Sequence, residues 1–201
     1  MPIPINILES LSSGEIDEEG IAKNEQKLLG TNCEKIELLT LQEEWKTYHV
    51  IVKRSRVEAQ LFSKIVSEYQ IMKEFLGDII PNQAFFIEKR KEIFDREMLT
   101  AICTPVIIAY DIFQWENNWN VFLEEYRKNT QLQKDIEQFI TGYKKLKDKW
   151  VILDLYGKEN LVITRDGRLK YIDSFRINIS DTGSLKEESE KKFQKISTLI
   201  V

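Results

Sequence analysis

The chain is 201 residues long and carries 29 Lys and Arg against 33 Asp and Glu, a net charge of −4. With no long basic block it offers no surface that tracks a phosphate backbone, so nucleic acid is excluded as an expected partner. One histidine and two cysteines, Cys33 and Cys103, cannot assemble a Cys/His zinc site, and the thiols read as reduced and partly buried in a cytoplasmic protein. The length allows one domain or two small lobes.

Residues 1–30 form an N-terminal extension. Its opening, Met-Pro-Ile-Pro-Ile-Asn-Ile-Leu-Glu, has neither the basic start nor the long apolar run of a signal peptide. Spaced apolar residues over 21–29 predict a weak helix. Ile36 to Leu41 and Trp45 to Val52 then read as two strands joined near 42–44, the second ending in Lys53.

Residues 56–76 have a helical period, with Val57, Leu61, Ile65, Met72 and Leu76 on one stripe and Phe62, Val66 and Tyr69 beside it. Glu68 falls on that stripe. A carboxylate there needs a cationic partner, or else stands at the stripe's edge and reaches water. Gly77 stops the helix, Ala84 to Glu88 reads as a strand, and 89–96 reads as a solvated turn or strand edge. The longest apolar stretch, 98–113, is interrupted by Pro105 and too short to span a bilayer; Thr104 to Phe113 reads as a buried strand within it.

Gln114 to Asn120, polar with two Trp, predicts a connection, and Val121 to Tyr126 and Leu132 to Leu146 predict helices. Three short, β-branched runs follow, Val151 to Leu153, Leu161 to Ile163 and Leu169 to Ile172, with Asp166-Gly167 as a hairpin signal between the last two. Each run is closed by a polar residue, which places Asp154, Asn160 and Asp173 at strand ends or in loops. Two carboxylates and an amide there are oxygen donors of the kind Mg²⁺ prefers. A polar turn over 180–184 and a charged helix over 185–200 complete the chain.

The order Asp154, Asn160, hairpin, Asp173-Ser174-Phe175 resembles the catalytic and metal-binding segment of the protein-kinase-like superfamily. There, an Asp-x-x-x-x-Asn loop precedes a strand pair and an Asp-Phe-Gly triplet. The thirteen positions from Asn160 to Asp173 match the family's spacing. Val-Ile-Val-Lys ending at Lys53 is similar to the family's third strand, whose Lys bonds a Glu on the following helix, here Glu68.

The resemblance implies an α+β, two-lobed protein-kinase-like fold. Residues 31–115 would be an N-lobe of a small antiparallel sheet plus helix 56–76, and 116–201 a reduced, mainly helical second lobe with the catalytic-loop-like segment 150–175. The compact size is similar to small-molecule kinases and atypical bacterial members. The resemblance further implies ATP and Mg²⁺ as cofactors and transfer of the γ-phosphoryl group to a hydroxyl of an acceptor, small molecule or protein. Asn160 and Asp173 would hold Mg²⁺, Lys53 would meet the inner phosphates while anchored by Glu68, and Asp154 would orient or deprotonate the acceptor. Backbone groups of 109–112 would meet the adenine edge. With so little chain after Phe175, phosphorylation of peptides in the eukaryotic style is not expected.

The chain departs from the family pattern in several places. Asp154 to Asn160 is one position longer, Ile152 replaces the loop's usual His, Ser174-Phe175-Arg176 replaces Phe-Gly, and one Gly at Gly30 stands where a Gly-rich loop is expected. Two alternatives follow: a catalytically weak or inactive kinase-like module (a pseudokinase) that binds nucleotide or proteins, and a plain α+β interaction domain whose Asp and Asn are turn formers.

Overall fold

The structure, a computed structural model, describes residues 21–22, 35–43, 46–56, 59–90, 96–173 and 183–200. The fold is mixed α+β. In chain order come β1 (Ile21–Ala22), β2 (Lys35–Glu43), β3 (Lys46–Arg56), α1 (Ala59–Leu76), β4 (Gln83–Arg90), β5 (Arg96–Cys103) and β6 (Ile108–Asp111). These are followed by α2 (Glu116–Lys128), α3 (Thr130–Asp148), β7 (Leu161–Thr164), β8 (Leu169–Tyr171) and α4 (Gly183–Ser197). The described residues divide into two compact units: one holds those up to 66 together with 82–105, and the other holds 67–81, 106–173 and 183–200. Residues 106–115, grouped by sequence with 31–115, cluster with the second unit because β6 ladders with β7.

The first unit is built on a five-stranded antiparallel sheet of order β1-β2-β3-β5-β4. The expected β2–β3 hairpin is present, paired from Lys35 with Arg54 to Glu43 with Lys46. Ile21–Ala22 form a short strand against Leu41 and Thr40 in place of the start of the expected helix, since two residues beside an open edge gain ladder bonds that one helical turn could not supply. The remainder of that helix, Gly30, Trp45 and Ser174 to Arg176 lie outside the described residues. Directly opposite residues of a ladder share a face, so the pairs Ile51–Cys103, Lys53–Ala101 and Ser55–Leu99 put all six on one side of the sheet. Phe62 and Ile65 of α1 join Ile51, Phe85, Leu99, Ala101 and Cys103 in a small core on that side. Leu61, expected on the buried stripe, is exposed.

The second strand expected from the apolar stretch differs from what forms. Arg96–Cys103 is itself a strand, and Thr104 to Ile107 leave the ladder before β6 begins. Pro105 explains the break, because it has no N–H to donate. Gln114 to Asn120 is not all connection either: α2 starts at Glu116, with its acidic first residue complementing the helix dipole.

In the second unit α3 buries the predicted face, Leu132, Ile136, Phe139, Ile140, Tyr143 and Leu146, in one core with Met72 and Leu76, Leu153 and Leu155, Leu161, Ile163, Leu169 and Tyr171, and Phe193 and Ile196. Asn129 caps α3 by accepting from Gln131 N and Leu132 N at 3.0 Å each, and its Nδ2 donates to Gly167 O at 2.9 Å. Gly167 sits at φ +71 in the β7–β8 turn, where Thr164 N donates to Arg168 O and Gly167 N to Thr164 O. A three-residue turn closed by a left-handed glycine is the form that Asp166-Gly167 takes here.

The carboxyl end of α3 closes with Trp150 N donating to Lys147 O and Val151 N to Leu146 O, a Schellman arrangement. Trp150 occupies its left-handed position at φ +61 and is 88 % exposed. A side chain there costs energy that glycine avoids, and this one returns little packing. Trp150→Gly is therefore expected to raise unfolding stability by about 0.5–1 kcal/mol, read as a higher urea midpoint at unchanged slope. An unchanged or lower midpoint would contradict the strain assigned to this position.

Candidate functional site

The site in the second unit is a loop held from several sides. Val151 to Leu155, expected to include a strand, pairs with no strand among the described residues. Its backbone groups are instead taken by side chains: Asp154 N donates to Tyr171 Oη at 3.1 Å and Leu155 N to Ser189 Oγ at 3.0 Å. Such partners satisfy buried amides as well as a ladder does, so Val151, Leu153 and Leu155 can all point inward.

Asp154, half-buried, begins the loop. Its Oδ1 accepts from Tyr156 N at 2.9 Å and Gly157 N at 3.2 Å, an Asx-type turn that fixes the carboxylate. Asn160 closes the loop and is 8 % exposed. Its Nδ2 donates to Asp154 O at 2.8 Å and reaches Asp173 Oδ2 at 3.4 Å. With the amide nitrogen committed in this way, Oδ1 is the oxygen of Asn160 left for a ligand. Asn160 O also accepts from Ile172 N, tying the ends of β7 and β8 together. The three residues singled out at strand ends, Asp154, Asn160 and Asp173, are thus brought to one place.

Asp111 is a member of this constellation that sequence reasoning missed. It is 4 % exposed, ends β6, and bridges two amides: Oδ1 accepts from Phe113 N at 2.7 Å and Oδ2 from Glu159 N at 2.6 Å. Glu159 has φ +59, so the buried carboxylate holds a left-handed residue immediately before Asn160. The sequence signal was slight, an acid closing an apolar strand. Residues 109–112, expected at the adenine edge, are engaged on one side with β7, Ile112 N donating to Leu161 O.

Lys192 of α4 approaches the same loop. Its Nζ donates to Leu155 O at 2.7 Å and Tyr156 O at 3.2 Å and lies over the rings of Phe113 and Tyr156. Burial pulls its proton affinity below the usual lysine range, against the opposing pull of the Asp111 and Asp154 carboxylates.

Lys53 is half-buried on β3, on the helix-covered face of the first unit's sheet. Cys103 shares that face as a free thiol, buried rather than partly buried as expected; burial pushes it up to about 11, with the Lys53 charge pulling the other way. Glu68 lies on α1 three residues after Ile65 and is half-buried, within the second unit.

Among the described residues no group of three or more His, Cys, Asp or Glu side chains is arranged to hold a metal, and no helix is long and apolar enough to cross a membrane. The oxygen donors at hand are the Asn160 amide and the Asp173 carboxylate. That set suits Mg²⁺, which is bound through one or two carboxylates with waters and substrate phosphates completing its shell. A scan of the sequence against protein-family models finds no match, and a search of curated proteins finds none.

Proposed function

We propose that the chain is an ATP-dependent phosphotransferase of protein-kinase-like, two-lobed architecture that moves the γ-phosphoryl group to an acceptor hydroxyl. The observation carrying this reading is the convergence of Asn160 and Asp173, 3.4 Å apart, with the Asn160 amide oriented by the Asp154 carbonyl. Further support comes from the first unit, where a single helix follows the third strand of an antiparallel sheet and Lys53 stands on the helix-covered face.

In this reading Asn160 and Asp173 hold Mg²⁺, which when bound neutralises charge on the phosphates. Lys53 meets the inner phosphates, with Glu68 as its anchor. Asp154 orients the acceptor hydroxyl and takes its proton as the new oxygen–phosphorus bond forms and the bond to the leaving ADP oxygen breaks. No described residue bonds Asp154 Oδ2, which suits it to face an acceptor. The work is chiefly positioning, and the loop's network of fixed amides supplies it.

Mg-ATP at tenfold over its Kd is expected to stabilise the chain by about 1.4 kcal/mol, a rise in Tm of roughly 3–6 °C for a protein of this size. Asp173→Asn is expected to abolish the Mg²⁺-dependent part of that rise and all ATP turnover, with the far-UV spectrum unchanged. No thermal shift at millimolar Mg-ATP would leave the plain interaction domain as the reading. A shift without turnover would select the non-catalytic kinase-like module, to which the longer Asp154 to Asn160 loop also points.

A further inference from the structure

Leu155 and Tyr156 are gripped by one face of α4, through Ser189 and Lys192 three residues apart. Ser189 Oγ accepts from Leu155 N, while Lys192 Nζ donates to Leu155 O and Tyr156 O. The two carbonyls that receive Lys192 belong to the peptide units whose N–H groups are those of Tyr156 and Gly157. Those N–H groups are the ones that bond Asp154 Oδ1. In a trans peptide C=O and N–H point in opposite directions, so the ammonium lies on one side of both peptides and the carboxylate on the other.

We propose that Lys192 is a positioning residue for Asp154, acting through these two peptides. A cation on a carbonyl oxygen polarises the amide and strengthens the bond its N–H makes. Two such relays converge on one carboxylate oxygen, which locks Asp154 Oδ1 and leaves Oδ2 for the acceptor. The rings of Phe113 and Tyr156 flank the ammonium and confine it to this task. The catalytic half of the proposal rests on the phosphotransferase reading; the relay itself is a property of the folded loop and is measurable without ATP.

The test compares wild type with Lys192→Met and the charge-retaining Lys192→Arg, with Lys192→Gln replacing the Met variant should that one not fold. Amide ¹H shifts of Tyr156 and Gly157 are expected to move upfield in Lys192→Met and to stay near wild type in Lys192→Arg. Turnover of Mg-ATP is expected to fall about tenfold or more in kcat with KM for ATP within about twofold, and to recover in part in Lys192→Arg. Amide shifts unmoved in Lys192→Met would overturn the relay. Shifted amides with unchanged kcat would overturn its role in the reaction. No turnover by wild type overturns the phosphotransferase reading and the catalytic half with it, while the amide shifts still decide the relay.

Discussion

Replacing Asp135 by Ala is expected to cost about 3 kcal/mol of unfolding free energy, a fall in Tm of roughly 6–12 °C. Asp135 is 2 % exposed on α3 and satisfies four donors. Arg168 reaches it through Nε at 2.8 Å and Nη2 at 3.0 Å, Leu169 N donates at 3.1 Å, and Gln131 Nε2 at 3.0 Å. The truncation strips a buried amide and a two-pronged guanidinium of their acceptor at once. The Asp135 carboxylate also holds the Arg168 guanidinium above its usual range. Asp135→Asn keeps one acceptor oxygen and is expected to lose less. Urea denaturation read by tryptophan fluorescence measures both, and a loss under 1 kcal/mol for the Ala variant would show that the pair contributes little.

Gly157→Ala is expected to abolish the response to Mg-ATP while costing only about 1–2 kcal/mol of stability. A methyl group at Gly157 would lie 2.9 Å from Asn160 Cγ and 3.1 Å from its Oδ1, and closer still to Nδ2. Because Cγ is one bond from the Asn160 Cβ, no rotation at the end of the side chain relieves the overlap, and the whole amide must leave Asp154 O and Asp173. Thermal shift with and without Mg-ATP separates the two effects. A variant that keeps the wild-type shift would show that Asn160 does not hold the ion, whatever the fate of the other assignments.

Much of the scaffold was legible because its signals are periodic. The face of α3 and the extent of α1 follow from apolar spacing, and the β7–β8 turn from Asp166-Gly167, since each depends on neighbours in sequence. What escaped depends on partners far away. Asp111 reads as one more residue of a buried strand until Glu159 N, forty-eight positions on, is seen to bond it. Ser189 and Lys192 lie in a stretch that reads only as a charged helix, although Ser189, Phe193 and Ile196 share the face that α4 buries. The Val151 to Leu153 run looked like a strand because apolar, β-branched residues suit any buried extended backbone, and no pattern reports whether the amides beside them meet a ladder or a side chain. Asp154, Asn160 and Asp173 were found since their spacing is local to one hairpin. The Lys53 and Glu68 assignments rest on order along the chain, and a double-mutant cycle would measure their coupling.

The Asn129 side chain that caps α3 also donates to the Gly167 carbonyl, thirty-eight positions later. A helix start and a hairpin tip therefore share one latch. Neither can fray alone without releasing the other, so hydrogen exchange in the first turn of α3 and at the tip should proceed as one cooperative opening. The segment that presents Asn160 and Asp173 thereby inherits the slow breathing of the longest helix among the described residues, a steadiness that its own few ladder bonds would not supply.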